Sequence, residues 1–283
     1  MKIGLITDSA CNLPKEETVR YDINVLPLQI STSTNTYRDN GIDLQTNDIY
    51  ALIKKEVPKT SMPAIGDAME TLERLKNEGC THVLAIHISK GLSATFDMVN
   101  GLKDNAKELG MEMEAIDSNS ISMGLGSLVL TAAAMRDKGY EFSAIVDKIK
   151  DLKKETEVFF VVNTLEYLRK GGRIGKIEGS LGDLLNVKPI ISINDEGVYY
   201  TVEKVRGRKK SLKAIADVAK KSIENKDVHL SILHGNAIDE AKEIYEDFKK
   251  DYPDVVLYDI TSALGVHVGP GLIGITYSKR ENL

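Results

Sequence analysis

The feature that most constrains this chain is the alternation of short apolar runs with helix-like segments in its first half. Apolar runs typical of buried strands lie at 2–7, 25–31, 82–89 and 113–118. Apolar residues recur at helical spacing in the segments 47–56, 68–75, 96–109 and 122–137. Strands separated by helices pair in parallel through right-handed crossovers. The sequence therefore predicts an α/β domain with a mainly parallel sheet.

The second half has a different order of elements. Strand-like runs lie at 158–163, 188–194, 198–205, 229–235, 255–261 and 272–279, with helix-like segments at 209–224 and 237–250. The short turn at 195–197 predicts a hairpin between its two flanking runs. A hairpin combined with crossover helices indicates an α+β domain with a mixed sheet. The lysine-rich stretch 147–157 suggests the boundary, giving domains 1–153 and 154–283.

Composition excludes several classes of protein. The chain of 283 residues is 42% hydrophobic without tryptophan, so we expect a sizeable aliphatic core. A net charge of −5 argues against nucleic acid as the main partner. Cys11 and Cys80 lie in neither a metal-ligand spacing nor a CxxC pair, which favours a reduced, cytoplasmic protein. The first apolar run is too short for a signal peptide, and no stretch is long enough to span a membrane.

Polar side chains follow several predicted strands of the first half. They occur at 7–9, 89–93 and 117–118, and Thr60 and Ser61 add two hydroxyls ahead of a proline. In open α/β sheets, ligands bind at the carboxyl ends of the strands. Ser93 would cap a helix starting near Ala94, where a hydroxyl and free backbone N–H groups favour an anion. Ordinary helix capping is the alternative interpretation.

The second half contains three further candidate features: a histidine, an arginine and a basic run. His267 lies in the glycine-rich segment SALGVHVGPG (262–271), which we interpret as a loop shaped to hold a ligand. Arg173 follows two glycines in TLEYLRKGGRIG (164–175) and would project from that loop. The run 203–213 contains Arg206 and is strongly basic on an acidic chain, which favours an anionic partner or an acidic protein face. A solvated charged surface is equally compatible with that run.

A catalytic set is conceivable but poorly supported. Ser93, His267 and either Asp8 or Asp117 could serve as nucleophile, base and orienting acid. The sequence lacks the GxSxG elbow, a P-loop, GxGxxG and HExxH. No spacing predicts a metal, so we expect neither a metal nor another cofactor.

The motifs together resemble the DegV family of bacterial fatty-acid-binding proteins. The resemblance runs through almost the whole chain, and the order and spacing of its pieces make it specific. They are TDSACNLP (7–14), KTSMP (59–63), HISKGLSATF (87–96), IDSNSISMGLG (116–126), NTLEYLRKGGRIG (163–175), LLNVKPIISINDEGVYYTVEKVRG (184–207) and GVHVGPGLIGI (265–275).

The resemblance implies two domains with a long-chain fatty acid buried between them. Its carboxylate would be held by two loops and two further side chains, so that the ligand-binding residues would be Thr60, Ser61, Gly91, Ser93, Ala94, Arg173 and His267. The glycines beside the histidine would let that loop approach the ligand. One departure is the alanine in Ser-Ala-Thr (93–95), where the family commonly has Ser-Gly-Thr; its methyl group would narrow the pocket.

The resemblance also implies a role without independent turnover. The chain would present its fatty acid to a separate fatty acid kinase that makes an acyl phosphate for phospholipid metabolism, docking through Arg173 and Arg206. The alternatives are a serine hydrolase or acyltransferase using Ser93 and His267, and a regulatory module that senses lipid. The sequence leaves the length and unsaturation of the acyl chain open.

Overall fold

The computed structural model describes residues 1–177 and 187–281. The strands are β1 (Ile3–Asp8), β2 (Ile23–Leu26), β3 (Gln29–Ser31), β4 (Thr36–Arg38), β5 (Lys59–Ser61), β6 (His82–His87), β7 (Glu112–Asp117), β8 (Thr156–Val161), β9 (Val187–Ile193), β10 (Tyr199–Arg206), β11 (Val228–Gly235), β12 (Val256–Asp259) and β13 (Leu272–Lys279). The helices are α1 (Lys15–Arg20), α2 (Thr46–Leu52), α3 (Ile65–Asn77), α4 (Thr95–Asn100), α5 (Lys103–Glu108), α6 (Met123–Asp137), α7 (Phe142–Leu152), α8 (Glu166–Lys170), α9 (Arg208–Ser222), α10 (Ile238–Lys249) and α11 (Ser262–Val268).

The first half contains the predicted parallel sheet. Its strand order is β2-β1-β6-β7, and every neighbouring pair is parallel. One face packs against α3, α4 and α5, and the other contributes to the core around α6 and α7. Because both faces are covered, β1 is buried along its whole length, which explains its continuous apolar run.

The second half contains the predicted mixed sheet, which confirms the fold class. Its order is β10-β9-β8-β13-β11-β12. Neighbours are antiparallel except β11 and β12, which are parallel. The predicted hairpin is β9–β10, where Gly197 adopts a φ of 78° in the turn. The first three residues of the motif 184–207 lie outside the described residues.

A third, small sheet was not predicted. The run 25–31 is two strands rather than one, because Pro27 has no N–H to continue a ladder. After it the chain enters an antiparallel sheet of order β4-β3-β5. Thr60 and Ser61 therefore lie on strand β5 and not in a loop, and this backbone pairing fixes their position.

Two other predictions were wrong in detail. The segment 96–109 is not one helix, since α4 ends at Asn100 before Gly101 and α5 begins at Lys103; glycine is a poor helix former. Residues 262–268 form the helix α11 instead of a loop, and Gly269, with a φ of 67°, follows its last residue. His267 thus lies in the last turn of a buried helix, which gives its ring a fixed direction.

The two large sheets share one core. Its buried residues include Ile86 and Leu125 from the first half and Val158 and Phe160 from the second. The chain passes between the sheets through the helical turn Lys153–Glu155, directly after α7. A domain boundary after residue 153 stays a prediction. Across residues 1–177 and 187–281, no helix is both long enough and apolar enough to cross a membrane.

Candidate functional site

A cavity lies between the two large sheets and the small one. The space between its walls measures about 780 Å³, a volume that includes space open to solvent. Most of its wall is aliphatic or aromatic, including Leu28, Val158, Phe160, Leu233, Ile260 and Leu264. Its polar side chains are Thr60, Ser61, Ser93, Ser122, Arg173, Tyr199 and His267. The wall therefore contains five of the seven predicted ligand-binding residues: Thr60, Ser61, Ser93, Arg173 and His267.

The polar end is built around a bond between two distant segments. Thr60 Oγ1 on β5 and His267 Nε2 at the end of α11 are 2.6 Å apart. Gly171 makes room for the imidazole, because a β-carbon there would lie 2.2 Å from His267 Nδ1. When Nε2 carries the proton and donates it, the Thr60 hydroxyl hydrogen is available to an anion in the cavity.

His267 is held in its neutral form. Burial lowers the pKa of the imidazole to about 4, and the nearby Arg173 charge acts in the same direction. His267 Nδ1 is buried and has no hydrogen-bond partner among the described residues. The ring therefore acts near neutral pH as a hydrogen-bonding group, while Arg173 supplies the positive charge.

Arg173 is a partly buried cation facing the same cavity. Its Nε donates to the carbonyl of Leu92 at 3.3 Å, and a terminal nitrogen donates to the carbonyl of Gly171 at 2.6 Å. Within residues 1–177 and 187–281, it forms no ion pair with a carboxylate. A guanidinium without a carboxylate partner beside a mostly apolar cavity attracts an anionic ligand.

The segment containing Ser93 is arranged differently from the prediction. Helix α4 begins at Thr95, so its N-cap is Ala94, and Ser93 lies one residue earlier. Ser93 Oγ is 2.9 Å from Thr95 Oγ1 and accepts the Thr95 N–H at 3.3 Å. Ala94 and Gly91 do not contribute to the cavity wall. Gly91 instead packs on the β9–β10 turn, where a β-carbon would lie 2.4 Å from the Gly197 carbonyl oxygen.

The glycines after α11 allow close packing against α8 and against the residues that precede α8. A β-carbon at Gly269 would lie 2.2 Å from the ring of Tyr167, and one at Gly271 would lie 2.8 Å from Asn163 Cβ. Close packing between these two segments fixes His267 against Gly171. The expectation that these glycines approach the ligand itself is not what their neighbours show.

The candidate catalytic carboxylates have structural partners. Asp8 is fully buried, and its Oδ2 lies 2.9 Å from His87 Nδ1 and accepts the Ile88 N–H at 3.0 Å. Asp117 Oδ1 accepts the N–H groups of Lys90 and Asn119. Neither carboxylate lines the cavity. The geometry therefore gives no support to Ser93 as a base-activated nucleophile.

The basic run forms an exposed edge away from the cavity. Arg206 is exposed at the end of β10, the outer strand of the mixed sheet. Arg208 is bound in a two-pronged pair with Glu240, at 3.0 and 2.5 Å. Lys209 and Lys210 are exposed on the first turn of α9. Arg206 is therefore available to a partner, whereas Arg208 is already paired.

Ser122, which precedes α6, lines the cavity but was not predicted to do so. Its φ and ψ of 54° and −142° are strained for a residue with a side chain, at a cost of about 1–3 kcal/mol. A β-carbon at Gly124 would lie 2.2 Å from Ser120 Oγ, so the turn requires small residues on both sides of Ser122. The pattern Ser-Ile-Ser-Met-Gly (120–124), with small residues two positions away on each side, was the available signal.

Metal ligation finds no support in this part of the chain. Among the described residues, no group of three or more histidine, cysteine, aspartate or glutamate side chains could hold a metal ion. Both cysteines are buried and unpaired, and burial raises the pKa of the Cys11 thiol to about 12.

The fold and the cavity define a class: an α/β protein with two large sheets and a mostly apolar cavity that is polar at one end. Comparison with known proteins agrees. The model of the family described as "Uncharacterised protein, DegV family" matches residues 2–280. A DegV domain-containing protein of Clostridium acetobutylicum is 42% identical, with 97% of this chain and 98% of that protein covered. The chain belongs to the DegV family.

Solved structures extend the comparison. A fatty acid binding DegV family protein from Streptococcus agalactiae is 31% identical, with a TM-score of 0.91 over 99% of this chain and 100% of that one. DegV of Bacillus subtilis, described as a fatty acid binding protein, is 30% identical, with a TM-score of 0.88 over 99% and 100% of the two chains. Structural neighbours of this chain are therefore fatty-acid-binding proteins.

Proposed function

We propose that this chain binds a long-chain fatty acid in the cavity and presents it to a separate fatty acid kinase. The observation that carries the binding proposal is the Thr60–His267 bond beside Arg173, which has no carboxylate partner among the described residues, at one end of a mostly apolar cavity. The names of the structural neighbours support the same ligand class.

The polar end suits a carboxylate. A buried carboxylate is costly unless it is hydrogen-bonded or paired. Arg173 supplies the charge, and the hydroxyls of Thr60, Ser61 and Ser93 supply donors. Gly91 and Ala94 would act only through the shape of the Ser93 segment.

The rest of the cavity suits an acyl chain. Each methylene transferred from water to this wall contributes about 0.8 kcal/mol. The wall side chains come from strands and helices whose backbones are fixed by pairing or packing. Affinity would therefore come mainly from the chain, and orientation from the carboxylate.

A direct test compares palmitic acid with hexadecanol, which has the same chain and no carboxylate. The protein stripped of lipid should bind the acid more tightly, and Arg173→Gln should reduce that preference toward unity. Arg208→Gln is a matched control, because Arg208 is bound to Glu240 away from the cavity. Equal affinity for acid and alcohol in the unaltered protein would contradict the carboxylate site.

Presentation to a kinase is a second step of the proposal. Arg206 is exposed on an edge strand beside further lysines, so an acidic face of the kinase could dock there. Arg206→Ala should reduce kinase-dependent acyl-phosphate formation while the bound lipid stays in place. Loss of the lipid in this variant would contradict a docking role. A docking role for Arg173 stays a prediction, since its side chain already faces the cavity.

The protein would thus be a carrier without turnover of its own, acting in the cytoplasm. A fluorophosphonate probe tests this directly. Covalent labelling of Ser93 would favour the hydrolase or acyltransferase alternative. An unlabelled protein that still holds fatty acid would support the carrier.

A further inference from the structure

The hydroxyl of Ser122 is an unpartnered polar group in the wall of the cavity. The residue is 4% exposed, and its Oγ has no hydrogen-bond partner within residues 1–177 and 187–281. A buried hydroxyl without a partner is unfavourable, so it marks a place where a ligand atom would be bound.

The observed hydrogen bonds of Ser122 within the fold do not involve its side chain. The Ser122 N–H donates to the Ala10 carbonyl at 2.7 Å, and its carbonyl accepts the Gly126 N–H at 2.9 Å. Both bonds need only the backbone. The φ of 54° would be adopted by glycine without strain. The hydroxyl is therefore the one property of Ser122 that packing and backbone bonding leave unexplained.

Ser122 lies beyond the polar end of the cavity. The turn that carries it packs on Val158, which a β-carbon at Gly124 would approach to 2.7 Å. Phe160, two residues further along β8, contacts the ring of Tyr199, which lines the cavity together with Arg173. Two strand residues span about 6.6 Å, which places Ser122 along the cavity from the Arg173 side, where the acyl chain would lie under the proposed function.

The small sheet gives the same placement. Ala10, which accepts the Ser122 N–H, follows Ser9, and Ser9 Oγ accepts the N–H of Leu28. Thr60 pairs with Ile30, two residues further along the chain than Leu28. The Ser122 turn is thus linked to the small sheet at Leu28, two residues away from the position that pairs with Thr60.

We infer that Ser122 recognises an oxygen atom carried on the acyl chain, so that the cavity selects an oxygenated fatty acid, bearing a hydroxyl or keto group. This inference rests on the proposed fatty acid binding. An unsubstituted methylene of the ligand beside Ser122 leaves the hydroxyl without a hydrogen-bond partner. A chain hydroxyl would lose its own water on entering the cavity, and one hydrogen bond to Ser122 relieves both deficits.

The backbone of this turn also resembles the strained strand-to-helix elbow that exposes nucleophilic serines. Such a serine needs a base within hydrogen-bond reach. His267 lines the same cavity, but its Nε2 is bonded to Thr60, and Ser122 Oγ has no described partner. The geometry therefore favours binding over acyl transfer.

The test uses stearic acid and a panel of monohydroxystearic acids that differ in the hydroxyl position. Affinities are measured by calorimetry on the lipid-stripped protein. Most isomers should bind more weakly than stearic acid, because their hydroxyl is buried unpaired. One isomer, or two adjacent ones, should bind about tenfold more tightly relative to the others.

The variants Ser122→Gly and Ser122→Ala should abolish that positional preference, so that every isomer binds more weakly than stearic acid. Glycine suits the backbone angles, so this variant should fold. Ser127→Ala is the matched control, since Ser127 Oγ on the same helix donates to the Met123 carbonyl.

Three results would overturn the inference: no positional preference in the unaltered protein, a preference that survives both variants, or covalent labelling of Ser122 by a fluorophosphonate. Failure to bind stearic acid or any isomer would instead overturn the proposed function itself.

Discussion

The two ends of the cavity are built in different ways. The polar end joins short pieces of four separate segments, namely β5, the turn before α4, the residues after α8 and the last turn of α11. The apolar body is formed largely by neighbouring strands of one sheet, with α11 above them. Chemistry at the polar end therefore depends on a few exact contacts, whereas the body depends on many interchangeable ones.

This contrast predicts where substitutions will act. A substitution at the polar end should alter which head group is bound and leave the preferred acyl chain length unchanged. A substitution in the apolar body should alter the preferred length of the acyl chain and leave the preference for the head group unchanged.

Charge reversal at Arg173 should have the largest effect. Arg173→Glu places a negative charge against the ligand carboxylate, so affinity for palmitic acid should fall about a hundredfold or more. Hexadecanol binding, measured by the same calorimetry, should change little. An equal loss for acid and alcohol would show that the two ends are not separable.

Gly171→Ala should have the next effect, through His267. The new methyl group would overlap His267 Nδ1 and displace the ring from Thr60, reducing affinity for palmitic acid about tenfold. Gly172→Ala is the control. Gly172 also has a positive φ, of 70°, but a β-carbon there meets nothing within 4 Å. That variant should lower the melting temperature and leave affinity unchanged.

Filling the body should shift the preferred chain length. Ala263 is buried on α11 and lines the cavity, so Ala263→Phe would occupy space for methylenes. Each methylene excluded costs about fourfold in affinity. Stearic acid should weaken more than lauric acid, as measured by competition binding. A uniform loss for both chains would place Ala263 at the head group instead.

Acidification should have the smallest effect. Burial lowers the pKa of His267 from 6.5 to about 4, so the unfolded chain binds a proton that the empty folded protein does not. The free energy of unfolding should therefore fall as the pH is lowered between those two values. Denaturant melts of the protein and of His267→Gln at several pH values measure this. A drop of the same size in His267→Gln would assign the effect to other groups.

The same contrast explains what the sequence could predict. The strands follow local rules: β1, β6, β8 and β13 each contain a run of apolar residues, and each was predicted near its observed bounds. The polar end depends on contacts between residues that are distant in sequence. Thr60 and His267 are 207 residues apart, and no local pattern states that their side chains meet.

The errors arose where local composition and tertiary packing disagree. Glycines suggested a loop at 262–271, yet 262–268 is a helix buried on almost every side. Ser122 escaped notice because strain is a property of φ and ψ, which a serine in the sequence does not reveal. The DegV resemblance supplied the grouping of Thr60, Ser93, Arg173 and His267 that periodicity could not.

The central claim is that this cavity holds a fatty acid by both its chain and its carboxylate. The most direct measurement is a mass spectrum of an organic extract from the purified, denatured protein, quantified against protein concentration. The account predicts one long-chain fatty acid per chain, and its mass gives the chain length, the unsaturation and any added oxygen. An empty extract from protein that also fails to take up added fatty acids would contradict the account.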